Sequence, residues 1–312
     1  MTNPEVIDTT GKLFGDLWRR YDDALFKQSL GLFAQRFRAN GFDLAWFRGK
    51  RCLDAGCGGG RYSIAMARLG AAEVVGCDIS ATGLADARNR AEKTLRLRFD
   101  EASVLGLPYP DASFDFVCCS GVLHHTTDAQ KGLSELTRVL KPGGRIFLLL
   151  YGTGGLRWPT IVKIRSHAQV MGYAAVDEMM RLVKLPSNKQ RTFLDDLFVP
   201  VIQFYDWDQV NRMLFGYRDI QRWTQGKLDH EASVPVQRAE LEQLAQVFEL
   251  AGKEPKFHGL QNETSKSYAF ALGAVEELDR LERAFKAKEI DQAARDWAVF
   301  GWEHHRVLAI KE

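Results

Sequence analysis

The sequence is notable first for what it does not contain. No apolar run approaches the roughly 20 residues needed to cross a bilayer. The first ten residues lack the basic start and apolar middle of a secretory leader, so a cytoplasmic location is the expectation. Cysteine is scarce: five residues in 312, at Cys52, Cys57, Cys77, Cys118 and Cys119, with no C-x-x-C pair. That spacing offers neither a zinc ribbon nor a redox motif, no metal site is expected, and each thiol reads as a small buried apolar group. An excess of one charge is missing too. The 42 Lys and Arg residues against 40 Asp and Glu leave a net charge of +2, with no dense basic run. A nucleic-acid partner is therefore not expected on electrostatic grounds. No feature of the sequence sets an oligomeric state.

What is present is a change of periodicity along the chain. Before residue 50, Phe14, Trp18, Tyr21 and Leu25 recur at spacings that place them on one face of a helix, and Leu30, Phe33 and Phe37 continue the series. Between 50 and 151, short apolar runs alternate with helical stretches. Residues 51–54, 73–78, 97–99, 114–119 and 145–151 read as strands, and 62–69, 81–93 and 128–140 as helices. Strands separated by helices predict a doubly wound, mostly parallel sheet in an α/β fold. After residue 152 the chain reads as mainly helical and rich in aromatics. Two later places look like helix, glycine and strand: 207–214 followed by Gly216 and 217–223, and 239–250 followed by Gly252 and 255–260, with 267–273 as a partner strand. Either completes the sheet. The tail, 275–307, reads as helical with charged faces. The segments are thus 1–49, 50–151, 152–235 with a candidate core strand near 217–223, and 236–312 with remaining core elements and a C-terminal helix.

The chemistry concentrates after the first strand, in Asp54-Ala55-Gly56-Cys57-Gly58-Gly59-Gly60. In a parallel sheet this loop is where a cofactor's polar groups meet backbone amides, and glycines allow the close approach. A dinucleotide fingerprint, G-x-G-x-x-G, requires glycine where Arg61 or Ser63 stands, so neither register fits. What fits is an acid followed by alternating glycines, the pattern of an S-adenosylmethionine (SAM) loop. Asp78, ending the second strand, is placed to accept hydrogen bonds from both hydroxyls of a ribose. Its alternative role is to cap the helix that starts near Ser80.

Five segments in order carry a family resemblance: Leu53-Asp-Ala-Gly-Cys-Gly-Gly-Gly60, Val75-Gly-Cys-Asp-Ile-Ser80, Leu107-Pro-Tyr-Pro-Asp-Ala-Ser-Phe-Asp115, Gly121-Val-Leu-His-His125 and Glu135-Leu-Thr-Arg-Val-Leu-Lys-Pro-Gly-Gly144. Residues 50–151 resemble the class I SAM-dependent methyltransferases, in particular the subgroup that includes ubiquinone and menaquinone biosynthesis methylases. The resemblance implies a Rossmann-like SAM-binding core at 50–151 and an N-terminal helical lid at 1–49; it says little about residue 152 onward, where the long segment that follows the fifth strand, 152–235, reads as a mainly helical substrate cap. It implies that Asp54 orients the loop, that Gly56, Cys57 and Gly58 form it, and that Asp78 takes the ribose. Ile79 would pack on adenine, Val104 would frame the ring, and Ser120 and Gly121 would line the sulfonium end. Ser103 stands where many members carry an acid that contacts the adenine amino group, a departure from the pattern. Relatives also use an aromatic residue of the lid near the cofactor, here Tyr21 or Trp18.

His124 and His125 follow the fourth strand, beside the expected methyl group. A neutral imidazole there can take a proton from an attacking hydroxyl or amine. The alternative for both is a structural role. Tyr151, ending the fifth strand, faces the same edge. The place where a DNA amino-methylase carries Asp/Asn-Pro-Pro-aromatic reads Ser120-Gly-Val-Leu-His124, and no Pro-Cys dipeptide occurs. The expectation is transfer of a methyl group from SAM, leaving S-adenosylhomocysteine, to a small-molecule acceptor through O, N or C. Two other readings stay open: methylation of RNA or protein, and a SAM-binding regulator without catalysis.

Overall fold

The computed structural model describes residues 3–20, 23–225 and 233–312. The chain divides into two compact units. The first comprises Met1–Tyr151, Pro200–Gly226 and His304–Glu312, and the second Gly152–Val199 and Lys227–Glu303.

In chain order the first unit opens with α1 (Asn3–Arg19) and α2 (Asp23–Ala39). It continues through β1 (Arg51–Ala55), α3 (Arg61–Arg68), β2 (Glu73–Asp78), α4 (Ala81–Arg90), β3 (Leu97–Glu101), β4 (Phe114–Ser120), α5 (Ala129–Val139) and β5 (Leu140–Tyr151). The second unit supplies α6 (Arg157–Met171), α7 (Tyr173–Leu182) and α8 (Ser187–Phe198). The first unit resumes with α9 (Trp207–Met213) and β6 (Tyr217–Trp223). Then come α10 (Val234–Lys253), α11 (Gln261–Lys286) and α12 (Gln292–Phe300) of the second unit, and finally β7 (His304–Lys311) of the first.

The seven strands form one sheet in the order β3-β2-β1-β4-β5-β7-β6. Strands β1 to β5 pair in parallel, and β7 lies antiparallel between β5 and β6. Alternation of side chains explains why both faces are apolar. Leu53, Val117, Cys119, Leu148 and Leu150 meet Leu133 and Leu136 of α5 and Val210 of α9 on one face. Cys52, Phe116, Cys118 and Phe147 meet Phe33 and Phe37 of α2 and Met66 of α3 on the other. All five cysteines are buried free thiols. Among the described residues no helix is long and apolar enough to cross a membrane.

The structure departs from the sequence reading at three places. The N-terminal apolar series does not run through one helix: α1 ends at Arg19 and α2 begins at Asp23, with Tyr21 outside the described residues. Residues 255–260 form a 3-10 turn and 267–273 lie inside α11, not in strands. Pro255 begins that turn, and the buried set Ser267, Ala271, Ala274, Val275 and Leu278 has helical spacing. The tail is not helical to residue 307. Strand β7 starts at His304 and takes the interior place between β5 and β6, so its side chains are buried on both faces. The polar run His304-His305-Arg306 obscures it. His305 satisfies Nε2 on the Tyr205 carbonyl at 2.8 Å.

The second unit is helical, with Val234, Leu241, Val275, Leu278, Leu281 and Val299 in its core. It also buries an ion cluster. Arg157 donates to Asp196 at 2.5 Å and to Glu240 at 3.1 Å, and Lys189 donates to Glu240 at 2.7 Å. Both carboxylates are nearly inaccessible, so removing the guanidinium leaves charge that water cannot reach. Arg157→Ala is expected to destabilise this unit by ~3–5 kcal/mol. Native-state hydrogen exchange of α6, α8 and α10 measures it, and unchanged protection would refute the role given to the cluster.

Candidate cofactor cleft

The loop between β1 and α3 owes its shape to alternating glycines. Gly56, Gly58 and Gly60 have φ of +76°, +51° and +78°, a region that disfavours a Cβ. The chain turns back on itself, and the amides of Gly56 and Cys57 both donate to the Cys77 carbonyl, at 2.7 and 2.9 Å. Gly58 N–H donates to Asp78 Oδ2 and Ser80 N–H to Asp78 Oδ1, each at 2.8 Å. Asp78, which also meets the Ile79 amide, therefore clamps the loop while its carboxylate keeps acceptor capacity beyond these amides. Burial pushes its pKa up in spite of these amides. The N-cap of α4 is Ser80, whose Oγ accepts from Gly83 N–H at 3.2 Å.

A cleft opens at the carboxyl ends of the strands. Its floor includes Gly56 after β1, Asp78 and Ile79 after β2, Ser103 and Val104 after β3, and Ser120 and Gly121 at the end of β4. This is where the strand order reverses, between β1 and β4, as expected for a ligand site in an open parallel sheet. Asp54, Cys57 and Gly58 support the cleft without lining it. Asp54 is 3% exposed and accepts from Ser63 Oγ at 2.6 Å. Cys57 packs with Leu84, Ala87 and Phe99. Gly58 lies under Trp18, where a Cβ would stand 2.2 Å from the indole nitrogen.

The opposite wall is α1, through Val6, Ile7, Thr10, Phe14 and Trp18. Two glycines let this helix approach. A Cβ at Gly11 would lie 3.4 Å from the Ile79 carbonyl oxygen, and one at Gly15 would lie 2.7 Å from Ser80 Oγ. Sequence reasoning picked out Trp18 and the helical face of Phe14 but missed Val6, Ile7 and Thr10. The Gly11-x-x-x-Gly15 spacing was the available signal, because glycine inside a helix costs about 1 kcal/mol against alanine and asks for a packing reason.

The two histidines, joined in a 3-10 turn (Leu123–His125), face different surroundings. His124 is wholly buried, its ring stacked on Tyr151 at 3.7 Å. Neither of its nitrogens has a hydrogen-bond partner. Burial, reinforced by His125 and His304, holds its pKa well below the usual imidazole range. Tyr151 is buried with it and meets His304 at 5.0 Å. His125, by contrast, lines the cleft beside Phe14, 5.5 Å between ring centres. Its Nδ1 lies 2.9 Å from the Val201 carbonyl oxygen. A carbonyl only accepts, so Nδ1 carries the hydrogen and the neutral ring has its acceptor lone pair on Nε2. Backbone bonds from Gln203 to His124 and from Tyr205 to Tyr151, both 2.9 Å, hold that segment in place.

Asp54 supplies a pH signature. Burial raises its pKa from the ordinary 3.8 to about 6, against the hydrogen bonds from Ser63. The folded state holds this proton more tightly than the unfolded chain, so the stabilisation is complete below pH about 4 and is lost as pH rises through about 6. Asp54→Asn, which resembles the protonated acid, is expected to match the wild type near pH 4 and to be more stable by ~2 kcal/mol at pH 7. Urea titrations at both pH values measure the difference. A second outcome tests the helix contact: Gly15→Val should lift α1 from α4 and expose Trp18, readable as increased quenching of its fluorescence by acrylamide. Unchanged quenching would count against the close approach.

Residues 53–148 match the methyltransferase domain family. Over 140 residues the chain is 39% identical to demethylmenaquinone methyltransferase of Deinococcus radiodurans, covering 44% of this chain and 58% of that protein. Over 115 residues it is 42% identical to 27-O-demethylrifamycin SV methyltransferase of Amycolatopsis mediterranei, covering 35% of this chain and 42% of that one. The chain spans about half the length of these relatives. Among solved structures, phosphoethanolamine N-methyltransferase 2 of Haemonchus contortus is similar in fold, with a TM-score of 0.50 and 18% identity, covering 100% of this chain and 60% of that chain. The glycine loop and the acid ending β2 both fall within residues 53–148, the stretch that is similar to a methyltransferase domain.

Proposed function

We propose that the protein transfers a methyl group from SAM to a small-molecule acceptor in the cleft beneath α1. The observation that carries this reading is convergence: Gly56 of the glycine loop, Asp78, Ile79 and the residues after β4 line one cleft. Its walls are mostly apolar, and among the described lining residues there is no Lys or Arg. That favours an uncharged or aromatic small molecule over a nucleic-acid backbone. The relatives named for quinone and rifamycin methylation support the same class.

The residues fit the cofactor. Asp78 offers a carboxylate with acceptor capacity to spare for ribose hydroxyls. A Cβ at Gly121, with φ +82°, would meet no atom within 4 Å, which leaves room beside the end of β4. Bound SAM supplies an electrophilic methyl group on a sulfonium. The protein's part is to bind, orient and keep water out, with His125 Nε2 taking the proton from the acceptor hydroxyl or amine as it attacks. The Val201 carbonyl would stabilise the imidazolium so formed. His124 and Tyr151 would act behind it, as a packed pair that fixes the direction of His125.

Two variants separate these roles. Asp78→Ala is expected to weaken S-adenosylhomocysteine binding at least about tenfold. His125→Ala is expected to lower turnover about a hundredfold, with affinity for S-adenosylhomocysteine changed less than about twofold. Calorimetry and turnover on a panel of phenols and hydroquinones, demethylmenaquinol among them, measure both. Cofactor binding without turnover on any acceptor would replace this reading with a regulatory one, and turnover confined to RNA or protein would move the acceptor class.

A further inference from the structure

Among the described buried side chains two hydroxyls, Thr10 Oγ1 and Ser267 Oγ, have no hydrogen-bond partner, and of the two it is Thr10 that lines the cleft. Thr137, Thr160, Thr192 and Thr264 lie in helices and return their hydroxyls to the carbonyl four residues earlier, at 2.8, 2.7, 3.0 and 3.1 Å. That back-bond is the ordinary resource of a helical threonine. Thr10 does not use it. Its side chain is 7% exposed, its Oγ1 has no hydrogen-bond partner, and it lines the cleft. A hydroxyl left so among Val6, Ile7 and Phe14 carries an uncompensated desolvation cost, unless a ligand group completes it.

Position along the cleft narrows the ligand group. Gly11, the next residue, lies against the Ile79 carbonyl, and Ile79 lines the cleft together with Ser103 and Val104, so the Thr10 turn of α1 faces the side of the cleft that Ile79 marks. On the sheet side Ser103 Oγ already accepts from Leu105 N–H at 3.2 Å. Thr10 is the hydroxyl that α1 brings to the cleft, and it has no such bond.

We propose that Thr10 Oγ1 accepts a hydrogen bond from the exocyclic amino group of the adenine ring, so that α1 reads the base in place of the loop after β3. The inference rests on the assignment of the cleft to SAM and adds a specificity-determining residue from outside the methyltransferase match at 53–148. It also makes α1 part of the cofactor site, because the bond forms only when the helix is seated.

The test uses the full chain and calorimetry with two ligands: S-adenosylhomocysteine and its 6-deamino analogue, which carries hydrogen in place of the amino group. Thr10→Val keeps the β-branched shape and removes the hydroxyl. It is expected to weaken S-adenosylhomocysteine binding about tenfold, whereas Thr10→Ser stays within about twofold of the wild type. The deamino analogue should bind wild type and Thr10→Val equally. An unchanged affinity of Thr10→Val for S-adenosylhomocysteine would overturn the proposal. So would equal losses on both ligands, which would mark a packing defect. Failure of the wild type to bind S-adenosylhomocysteine would instead remove the assignment of the cleft.

Discussion

Four amides gathered at the end of β2 set the geometry on which the cofactor cleft depends. Two donate to the Cys77 carbonyl and two to the Asp78 carboxylate. Without them the loop after β1 would be five glycine-rich residues with little reason to hold one shape. With them, the loop's left-handed positions are fixed relative to the neighbouring strand, and the first turn of α3 starts where the sheet requires it. One side chain thus serves two purposes. The backbone contacts of Asp78 hold the loop, and the same residue lines the cleft. A helix-capping role and a ribose-binding role, which look like alternatives in the sequence, are compatible because a carboxylate has more acceptor sites than either role consumes.

The second constraint is distance. Helix α1 can cover the cleft only because Gly11 and Gly15 let its backbone settle against the start of α4. Trp18 then lies on Gly58, and the bulk of the indole takes the volume that a Cβ would need. The missing side chain in the loop and the large one in the helix are therefore complementary halves of one contact. Its energetic logic is that of any packed interior, where a gain of one methyl group is felt at once.

Much of this could be read from the residues. Strands β1, β2, β4 and β5 stand out because strands buried on both faces are short, largely apolar runs, whereas the edge strand β3 (Leu97–Glu101) buries only Phe99. The glycine pattern stands out because alternate positions need positive φ. The strand at Tyr217–Trp223 was one of two candidates, and the choice between them needed the tertiary pairing. Strand β7 was hidden because His304, His305 and Arg306 are polar residues in a buried strand, where His305 Nε2 meets the Tyr205 carbonyl a hundred residues away. The separation of His124 from His125 was hidden for a different reason. Adjacent residues in a 3-10 turn point in different directions, and the group that fixes the His125 tautomer is a backbone carbonyl, which leaves no mark in the sequence. Thr10 looked like any helical threonine until its missing back-bond was seen.

The position of β7 has a consequence for how the sheet is made. Strands β1 to β5 come from one contiguous stretch, whereas Arg145 of β5 is paired with Ile310. Until that distant segment arrives, the run Ile146-Phe147-Leu148-Leu149-Leu150-Tyr151 is a bare sheet edge of six apolar residues with a full row of unsatisfied amides and carbonyls. Such an edge is a template for pairing with another chain. The arrival of β7 is slow by topology, since closing a long loop precedes any reward from the contacts. Self-association during refolding is the natural hazard of this molecule, and the last strand, remote from the chemistry, is what ends it.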